Sequence, residues 1–414
     1  MSLDLVVVGV GYVGLPLATH ACAAGLAVVG YDISASVVAG LAAGRSHVGD
    51  VSDAEVGAIL AEGFLPTTDP KWIGQADTVV LCVPTGLDSA GRPDLGPLKS
   101  ACAVVAEYLR PGMLVVLEST SFPGTTDEVV RPILERGGLV AGQDFALAYS
   151  PERIDPGNRD YGVRNTPKVV SGYTPLCAKQ CAAFYGRFVD STVITSGLRE
   201  AELAKLLENT YRYVNIALVN ELALYCHELG VDVWEVVRCA ATKPFGYQAF
   251  RPGPGVGGHC IPIDPHYLAV RACADGFTFT MIEAAHRVNA GMPGRVADRV
   301  VELLRAEGRN RVLLLGVTYK ADVADVRESP AIILAERLLA DGVAVFYHDP
   351  YVPSFPGFGA RVPRRTDLSA GLAATDLVVL LQPHQCYATG CLGARVRRLL
   401  DTTGTVSGEH VIRL

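Results

Sequence analysis

A glycine-rich turn near the start of the chain constrains its fold more than any other feature. Gly9, Gly11 and Gly14 form the pattern G-x-G-x-x-G between a run typical of a strand and a segment typical of a helix. In a β-α-β unit the first glycine permits a tight turn, the second lets a pyrophosphate approach the backbone, and the third allows close packing of helix and strand. The pattern predicts a dinucleotide-binding Rossmann domain, with Tyr12 and Val13 in the same cofactor-contacting turn.

The residue that ends the next predicted strand distinguishes between two cofactors. Asp32 lies about 20 residues beyond the turn, where a carboxylate accepts a hydrogen bond from the 2′-hydroxyl of the adenosine ribose. A carboxylate there repels a 2′-phosphate, so the sequence predicts NAD rather than NADP. Glycine-rich turns also arise for geometric reasons alone. The strand–turn–helix–strand–Asp context favours cofactor binding over that alternative.

Strand and helix patterns alternate in the two flanking parts of the chain. Near-continuous apolar runs, typical of parallel strands covered on both faces, lie at 5–10, 26–32, 78–84, 113–120, 145–151, 311–317, 343–350 and 376–384. Between them, two long helical patterns cover 200–230 and 277–308. The predicted fold class is α/β, with two Rossmann-like doubly wound domains joined by a long central helical region. We place the domain boundaries at 1–196, 197–300 and 301–414.

Composition and charge disfavour several classes of protein. Apolar residues make up 50% of the chain, charged residues 19%, and the formal net charge is −7, which suits a compact enzyme and not a nucleic-acid-binding protein. The 11 cysteines lack the spacing of a zinc site or a disulfide framework, which indicates reduced thiols and no metal. No run reaches the ~20 apolar residues of a membrane span. We expect a soluble, cytoplasmic protein with neither nucleic-acid nor membrane partners.

The segment FRPGPGVGGHCIPIDPHYL (250–268) is the least ordinary stretch of the chain. Its four glycines let the backbone approach a ligand closely, and Cys260 closes the loop, with Asp264 four residues later. Most free cysteines are small buried hydrophobes, which is our interpretation of the other ten. A reactive thiolate needs partial exposure and polar neighbours, which this loop offers. Cys260 is therefore the candidate nucleophile.

Three motifs together resemble a known enzyme family. GVGYVGLP (9–16), GPGVGGHCIPIDP (253–265) and GVTYKADVADVRESP (316–330) are similar to the signatures of the UDP-glucose/GDP-mannose dehydrogenase family, in the same order and across the whole chain. The resemblance implies oxidation of the C6 alcohol of a nucleotide-bound hexose to a carboxylate, with two NAD consumed. It also implies that Cys260 adds to the intermediate aldehyde, so that a thiohemiacetal donates the second hydride and leaves a thioester for water to cleave.

The same resemblance implies an arrangement of the whole molecule. Members of the family dimerise through the central helix, so we expect a homodimer. The nucleotide sugar is expected to lie between domains, with Cys260 facing the nicotinamide.

Two further catalytic candidates lie four residues apart on the central helix. Lys205 and Asn209 share one helix face, and the resemblance assigns them to a Lys-x-x-x-Asn pair in which the lysine stabilises an oxyanion and the asparagine holds substrate or oxyanion. From the residues alone, Lys205 is equally well a surface lysine paired with Glu202 or Glu208.

Three other side chains gain roles only through the resemblance. Asp264 corresponds to a carboxylate that organises water or shares general-base work. Thr120 corresponds to a threonine near the nicotinamide and a catalytic water, and Glu152 to a glutamate that activates water for thioester hydrolysis. Without the resemblance, Asp264 reads as a loop acid, and the other two as caps at strand ends.

The resemblance also points to binding residues. Thr85 corresponds to a cofactor contact, Arg327 to a contact with the cofactor diphosphate, and Lys320 to a contact with the nucleotide sugar; a solvated charge is the alternative for the two basic residues. Further candidates for substrate or partner contacts are Lys243, Arg251 and Gly257. For Lys243 and Arg251 the choice between a phosphate and a partner subunit stays open.

Two neighbours of Cys260 indicate the substrate. Glucose-specific members carry lysine where this chain has Ile263, and tend to have serine where it has His259. The Gly-His-Cys-Ile-Pro form and SPERIDPGN (150–158) are closer to the branch that acts on UDP-N-acetylhexosamines, with UDP-glucose and dTDP-glucose as alternatives. His259 as a base for Cys260 is a weaker hypothesis, since adjacent side chains in a loop often point apart.

Two other functions are compatible with parts of the sequence. A two-electron NAD dehydrogenase without covalent catalysis releases one NADH per substrate and tolerates the loss of Cys260. An NAD-binding regulatory or scaffold protein binds the cofactor and oxidises no nucleotide sugar. The joint presence of Lys205, Asn209, Cys260 and Asp264 argues against the second alternative.

Overall fold

The structure is a computed structural model that describes residues 3–88, 91–155, 157–158, 160–387 and 392–414. The chain divides into two compact units. The first runs to Glu208 and includes His266–Phe277, and the second comprises Asn209–Pro265 and Thr278–Leu414. Two helices contribute to both units: α7 (Leu198–Leu229) and α9 (Asp264–Ala274).

The first unit is built on an eight-stranded sheet in the order β10-β9-β8-β7-β4-β1-β2-β3. All neighbours are parallel except β8 and β9. From β3 to β8 the order is that of a dinucleotide-binding fold, 3-2-1-4-5-6, when a small hairpin of β5 and β6 is set aside. The strands are β1 (Leu3–Val8), β2 (Val28–Tyr31), β3 (Leu65–Thr67), β4 (Ala76–Leu81), β5 (Gly86–Leu87), β6 (Pro93–Asp94), β7 (Leu114–Leu117), β8 (Ala146–Tyr149), β9 (Lys168–Gly172) and β10 (Thr192–Ile194).

Helices cover both faces of this sheet because alternate residues of each buried strand point to opposite sides. Leu5 and Val7 of β1 pack in one core, with residues of α1 and α6, and Val6 and Val8 pack in the other, with residues of α4 and α5. The helices are α1 (Gly14–Ala23), α2 (Ala35–Ala42), α3 (Asp53–Ala61), α4 (Gly96–Tyr108), α5 (Arg131–Leu134) and α6 (Pro175–Tyr185), with a π-helical turn at Thr125–Val130 and 3₁₀ turns at Pro70–Gln75 and Glu135–Gly137.

The second unit contains a five-stranded, all-parallel sheet in the order β12-β11-β13-β14-β15. The strands are β11 (Arg311–Leu315), β12 (Ala344–His348), β13 (Leu377–Leu380), β14 (Leu399–Asp401) and β15 (Val411–Arg413). Residues of α10 and α11 pack on one face and residues of α12 on the other. The helices are α8 (Val233–Ala240), α10 (Thr280–Arg305), α11 (Pro330–Ala340) and α12 (Leu368–Ala373), with 3₁₀ turns at Gly359–Arg361, Gln385–Tyr387 and Gly393–Arg395.

The central strands of the two sheets end in similar turns with different chemistry. Gly9 after β1 and Gly316 after β11 both have positive φ, at 89° and 77°. Asp32 and Asp349 each follow the second strand and accept a hydrogen bond from a backbone N–H of the glycine turn. Asp349, however, is fully buried, and His384 Nε2 lies 3.0 Å from its Oδ2. It is therefore not available to a ribose hydroxyl, whereas Asp32 is half-buried.

The predicted fold class is confirmed. Each apolar run expected to form a strand overlaps one, and the helical patterns of the centre form α7 and α10. Seven strands were not predicted individually: β3, β5, β6, β9, β10, β14 and β15. Of these, β3 and β10 are short and partly exposed, so their apolar signal is weak. The three domain boundaries stay predictions. Among the described residues, no helix is long and apolar enough to cross a membrane.

Candidate active site

The three glycines of the first turn occupy three different environments. A Cβ on Gly9 would lie 2.9 Å from the carbonyl oxygen of Cys82, and a Cβ on Gly14 would lie 1.9 Å from the carbonyl oxygen of Gly9. A Cβ on Gly11 would meet no atom within 4 Å. The turn is thus closed at its first and third glycines and open at its second, which is the arrangement that a pyrophosphate requires at the start of α1.

Asp32 is held beside this turn by backbone groups. Its Oδ2 accepts from the N–H of Val10 at 3.1 Å, and its Oδ1 accepts from the N–H of Ser34 at 2.9 Å. Each carboxylate oxygen has a second lone pair, so a ribose hydroxyl can still donate to it. Tyr12 and Val13 lie between the turn and α1, half-buried or exposed, and Thr85 lies buried after β4. These residues fit NAD.

Lys205 lies in the interior of the first unit. Its ammonium Nζ donates to Thr120 Oγ1, and both residues are buried, with 5% and 8% of their surface exposed. The surface-lysine alternative is therefore wrong, and Glu208 pairs instead with Arg153 at 2.7 Å. A buried ammonium beside a threonine hydroxyl is suited to stabilising a developing negative charge.

Glu202 precedes Lys205 by one helical turn and fixes α7 against the loop after β7. Its carboxylate accepts from the N–H groups of Gly124 and Thr126, at 2.6 and 2.9 Å, and from Thr126 Oγ1 at 2.7 Å. Burial favours the neutral acid and raises the pKa of Glu202 to about 7, although these three donors act in the opposite direction. This positioning contact was not predicted, because it joins residues more than 70 positions apart.

Replacing Glu202 with glutamine is expected to change how stability depends on pH. The pKa of Glu202 in the folded protein lies above its ordinary value of 4.5. The contribution of Glu202 to the unfolding free energy of the wild type is therefore fully present below about pH 4.5 and is lost as the pH rises through about 7. The difference in unfolding free energy, wild type minus E202Q, should fall by up to about 3 kcal/mol over that interval. Urea denaturation of both proteins at pH 5 and pH 8 measures it, and a constant difference would contradict the prediction.

Glu152 follows β8 in the same unit. Its Oε1 accepts a hydrogen bond from the N–H of Ile154, and its Oε2 lies 3.7 Å from Nζ of Lys168. Glu152 and Lys168 line a small cavity with room for about one water molecule. The carboxylate is thus oriented both by a local backbone N–H after the strand and by the more distant ammonium of Lys168.

Asn209 and Asp264 meet in the second unit. Asn209 Nδ2 donates to Asp264 Oδ2 at 2.6 Å, and Asp264 is almost fully buried. Asp264 is the first residue of α9, followed by Pro265, so the description of it as a loop acid is wrong. Its N–H donates to the carbonyl oxygen of Cys260 at 2.8 Å. The exposed cysteine and the buried carboxylate are therefore linked by one turn of backbone.

The cysteine loop packs against the third sequence motif within the second unit. A Cβ on Gly257 would lie 2.7 Å from the carbonyl oxygen of Glu328 and 2.9 Å from Cβ of Tyr319. The N–H of Gly258, whose φ is 90°, donates to the carbonyl oxygen of Arg327 at 3.1 Å. Glycine at these positions thus lets two motifs that are about 60 residues apart in sequence lie in backbone contact.

Two buried asparagines hold the start of the same loop. Asn220 of α7 accepts from the N–H of Gly253 at 2.9 Å, and its Nδ2 donates to Oδ1 of Asn289 in α10 at 2.9 Å. Asn289 Nδ2 in turn donates to the carbonyl oxygen of Tyr213 at 3.1 Å. Each amide is oriented by the next, so the network fixes where the loop leaves the two helices.

Asn220→Leu is expected to reduce kcat with a smaller effect on the binding of NAD. The change leaves the N–H of Gly253 and the amide of Asn289 without their partner, which costs about 1–3 kcal/mol for each buried group. We expect lower thermal stability and a loop that places Cys260 less accurately. Steady-state kinetics and the rate of Cys260 alkylation by iodoacetamide measure both effects. An unchanged alkylation rate and kcat would show that the network does not position the loop.

The remaining candidates lie at the surface of the second unit or part-way into it. Arg327 makes a bidentate pair with Asp325, in which Nη2 donates to Oδ2 at 2.6 Å and Nε donates to Oδ1 at 3.0 Å, and its side chain is 44% exposed. Lys320 and His259 are half-buried. Arg251 and Lys243 are exposed, and Nζ of Lys243 lies 5.0 Å from the ring centre of Phe245.

Three family models match the chain in succession. The NAD-binding domain of the UDP-glucose/GDP-mannose dehydrogenase family matches residues 3–189, its central domain matches 199–291, and its UDP-binding domain matches 313–412. The chain belongs to the UDP-glucose/GDP-mannose dehydrogenase family. It is accordingly an NAD-dependent nucleotide-sugar dehydrogenase, and the predictions of the family, of the cofactor NAD and of the enzyme class are confirmed.

Individual members of the family are similar to this chain over most of their length. The NDP-N-acetyl-D-galactosaminuronic acid dehydrogenase of Ralstonia nicotianae is 34% identical over 418 residues, which is 98% of this chain and 96% of the relative. The UDP-N-acetyl-D-glucosamine 6-dehydrogenase of Pseudomonas aeruginosa is 37% identical, over 85% of this chain and 83% of its own. A solved structure of the UDP-D-ManNAc dehydrogenase from Pyrococcus horikoshii has a TM-score of 0.90 at 32% identity, covering 99% of this chain and 98% of that one.

Proposed function

We propose that this dehydrogenase oxidises the C6 alcohol of a UDP-N-acetylhexosamine to a carboxylate, in two NAD-dependent steps, through a covalent adduct on Cys260. The observation that carries the proposal is the exposed Cys260 held one turn before α9, where buried Asp264 binds Asn209. The N-acetylhexosamine part is supported by the names of the similar enzymes and by Ile263 and His259 beside the nucleophile.

The proposed reaction consumes one water and two NAD for each nucleotide sugar. Loss of a proton from the C6 hydroxyl and of a hydride from C6 gives an aldehyde. The Cys260 thiolate adds to that carbon, and the resulting oxyanion takes up a proton to give a thiohemiacetal. Loss of the hydroxyl proton and a second hydride leaves a thioester. Water then adds to the carbonyl, the carbon–sulfur bond breaks, and the thiolate returns with release of the carboxylate. Bound NAD supplies the acceptor for each hydride.

The surrounding side chains have distinct proposed roles. The ammonium of Lys205, held by Thr120, stabilises each oxyanion, since a buried donor is worth more in a low-dielectric site than in water. The amide of Asn209, oriented by Asp264, holds substrate or oxyanion, and Asp264 organises water. Glu152 takes the proton of the water that cleaves the thioester.

Binding roles are proposed for residues on the loops of the second unit. Gly257, where the loop packs against Glu328 and Tyr319, contacts the nucleotide sugar through its backbone. Lys320 and Arg327 contribute positive charge toward the substrate and the cofactor diphosphate. We also propose that α7 forms a homodimer interface. Apolar side chains along this helix are more than half exposed, as at Leu207, Leu218 and Tyr225, and such surfaces mark interfaces between proteins.

A substrate panel with product stoichiometry tests the proposal. UDP-GlcNAc, UDP-ManNAc, UDP-GalNAc, UDP-glucose and dTDP-glucose are each incubated with NAD, and NADH and the sugar product are quantified. We expect two NADH per sugar and a uronic acid from one or more of the N-acetylhexosamines. One NADH per sugar would indicate the two-electron alternative, preferred oxidation of a glucose derivative would overturn the substrate assignment, and no oxidation would favour the regulatory alternative.

A further inference from the structure

A buried ion pair lies next to Glu152 in the first unit. Glu118 directly follows β7, Lys168 begins β9, and β8, which leads to Glu152, lies between these two strands. Nζ of Lys168 is 2.5 Å from Oε1 of Glu118 and 3.7 Å from Oε2 of Glu152. The side chain of Lys168 is 7% exposed, that of Glu118 is 0% exposed and that of Glu152 is 14% exposed. One ammonium thus serves two carboxylates in the interior.

The position of this ammonium is set by the contacts of Glu118. The hydroxyl of Tyr185 donates to Oε1 of Glu118 at 2.7 Å, and the thiol of Cys82 donates to Oε2 at 3.6 Å. The ring of Tyr185 also lies 5.1 Å from Nζ of Lys168. Buried charges are tolerated only when they are paired and hydrogen-bonded, as Glu118 is here. The charge of Lys168 is therefore balanced where its ammonium contacts Glu118, and this position also lies close to Glu152.

We propose that Lys168 and Glu118 are a positioning pair for Glu152 in thioester hydrolysis. Glu118 fixes the ammonium of Lys168, and this ammonium attracts the Glu152 carboxylate and holds it in place to accept a proton from water. The inference rests on the proposed function, because it assumes that a thioester forms on Cys260 and that Glu152 is the base. Neither Lys168 nor Glu118 touches the reacting atoms in this scheme.

Other titratable groups around the pair carry no charge near neutral pH. Burial raises the pKa of Cys82 and of Tyr185 well above their ordinary values, and burial likewise raises the pKa of Cys181. Burial also raises the pKa of Glu118, although the ammonium of Lys168 acts in the opposite direction. The remaining ionisable groups packed together among these described residues are Glu118, Lys168 and Glu152. Arg153 also lines the cavity, and its guanidinium is engaged by Glu208.

The charge of Lys168 persists throughout the working pH range. Burial disfavours its ammonium, but the attraction of Glu118 and Glu152 outweighs burial and raises the pKa of Lys168 to about 12. An ion pair of Lys168 and Glu118 that served stability alone would need no second carboxylate 3.7 Å from the ammonium. Two carboxylates thus share one ammonium in the interior, an arrangement that is unfavourable for folding and typical of functional sites.

Opposite substitutions in the pair make the inference testable. Lys168→Met removes the cation and leaves Glu118 as a second acidic group beside Glu152. The acidic limb of the pH–rate profile of thioester decay should therefore move to higher pH by about one unit or more, and decay at pH values below the limb should be roughly tenfold slower. Glu118→Gln leaves the cation with Glu152 as its remaining carboxylate, so the limb should move to lower pH. Lys168→Arg should restore the wild-type limb.

The readout is the decay of the Cys260 thioester in single turnovers, from pH 5 to 9, followed by acid quench and mass spectrometry. Lys179→Met, an exposed lysine of α6, is the matched control and should leave the profile unchanged. Melting temperatures show whether each variant folds. If Lys168→Met is unfolded, the pH–rate profiles of Glu118→Gln and Lys168→Arg still test the inference. This inference alone is overturned if the wild type forms the thioester but the acidic limb moves in the same direction in Lys168→Met and Glu118→Gln, or moves in neither. A wild type that forms no thioester overturns the proposed function, and this inference with it.

Discussion

Cys260→Ala is expected to abolish the complete four-electron oxidation, with a fall in turnover of at least about 1,000-fold. Without the thiolate, the C6 aldehyde cannot become a tetrahedral hydride donor on the enzyme, so the second oxidation and the thioester are both lost. The first hydride transfer does not need sulfur. We therefore expect at most one NADH per enzyme-bound sugar in single turnovers, together with an aldehyde that hydroxylamine captures.

The neighbouring cysteine of α9 provides the control. Cys273 is exposed, like Cys260, and lies on the same helix that Asp264 begins, so Cys273→Ala should retain wild-type turnover and stoichiometry. Stopped-flow NADH absorbance and mass spectrometry of the quenched enzyme separate the two variants. Full turnover in Cys260→Ala would establish the two-electron alternative and remove the need for covalent catalysis.

The features that the sequence predicted well are those whose chemistry is local. The turn from Gly9 to Gly14 contains its strand, its helix start and its glycines within a few residues, so its geometry follows from the pattern. The same holds for α7, whose helical pattern continues without glycine or proline up to Gly230. Cys260 was recognisable because four glycines precede it in one loop. The interpretation of the other ten cysteines as buried is confirmed for six of them and wrong for Cys239, Cys273 and Cys386, which are exposed; Cys391 lies outside the described residues.

The groups that the sequence did not reveal act through contacts between distant positions. Glu118 and Lys168 are 50 residues apart, and neither the run LEST nor the run PKVVSG shows that one will neutralise the other. Asn220 and Asn289 lie on helices where a single asparagine normally faces water, yet they form a buried pair. A buried polar group of this kind is expected only once its partner is known, because unpaired burial is unfavourable.

Family resemblance supplied roles that no local pattern contains. Thr120 and Glu152 follow strands and have ordinary sequence neighbours, and Lys205 has the spacing of a surface ion pair. The structure adds physical content to those assignments, because Lys205 is buried against Thr120 and Glu152 lies beside an ammonium.

Gly14→Ala and Gly11→Ala are expected to separate folding from cofactor binding. The new Cβ at position 14 would lie 1.9 Å from the carbonyl oxygen of Gly9 and 2.9 Å from the side chain of Val7, and no rotamer relieves a backbone clash. Helix α1 would have to move off β1, exposing core residues such as Leu15 and Leu17. We expect a loss of roughly 4 kcal/mol or more in stability, together with loss of NAD binding.

At position 11 the new Cβ would meet no protein atom within 4 Å, so stability should change by no more than about 1 kcal/mol. The methyl group instead enters the space in which a pyrophosphate approaches the backbone, and the affinity for NAD should fall about tenfold or more. Thermal unfolding measures the first effect and calorimetric titration of NAD the second. Wild-type affinity in Gly11→Ala would mean that the cofactor does not contact the turn there, and a stable Gly14→Ala would show that α1 can move without cost. The two outcomes are independent, because one glycine faces the protein and the other faces open space.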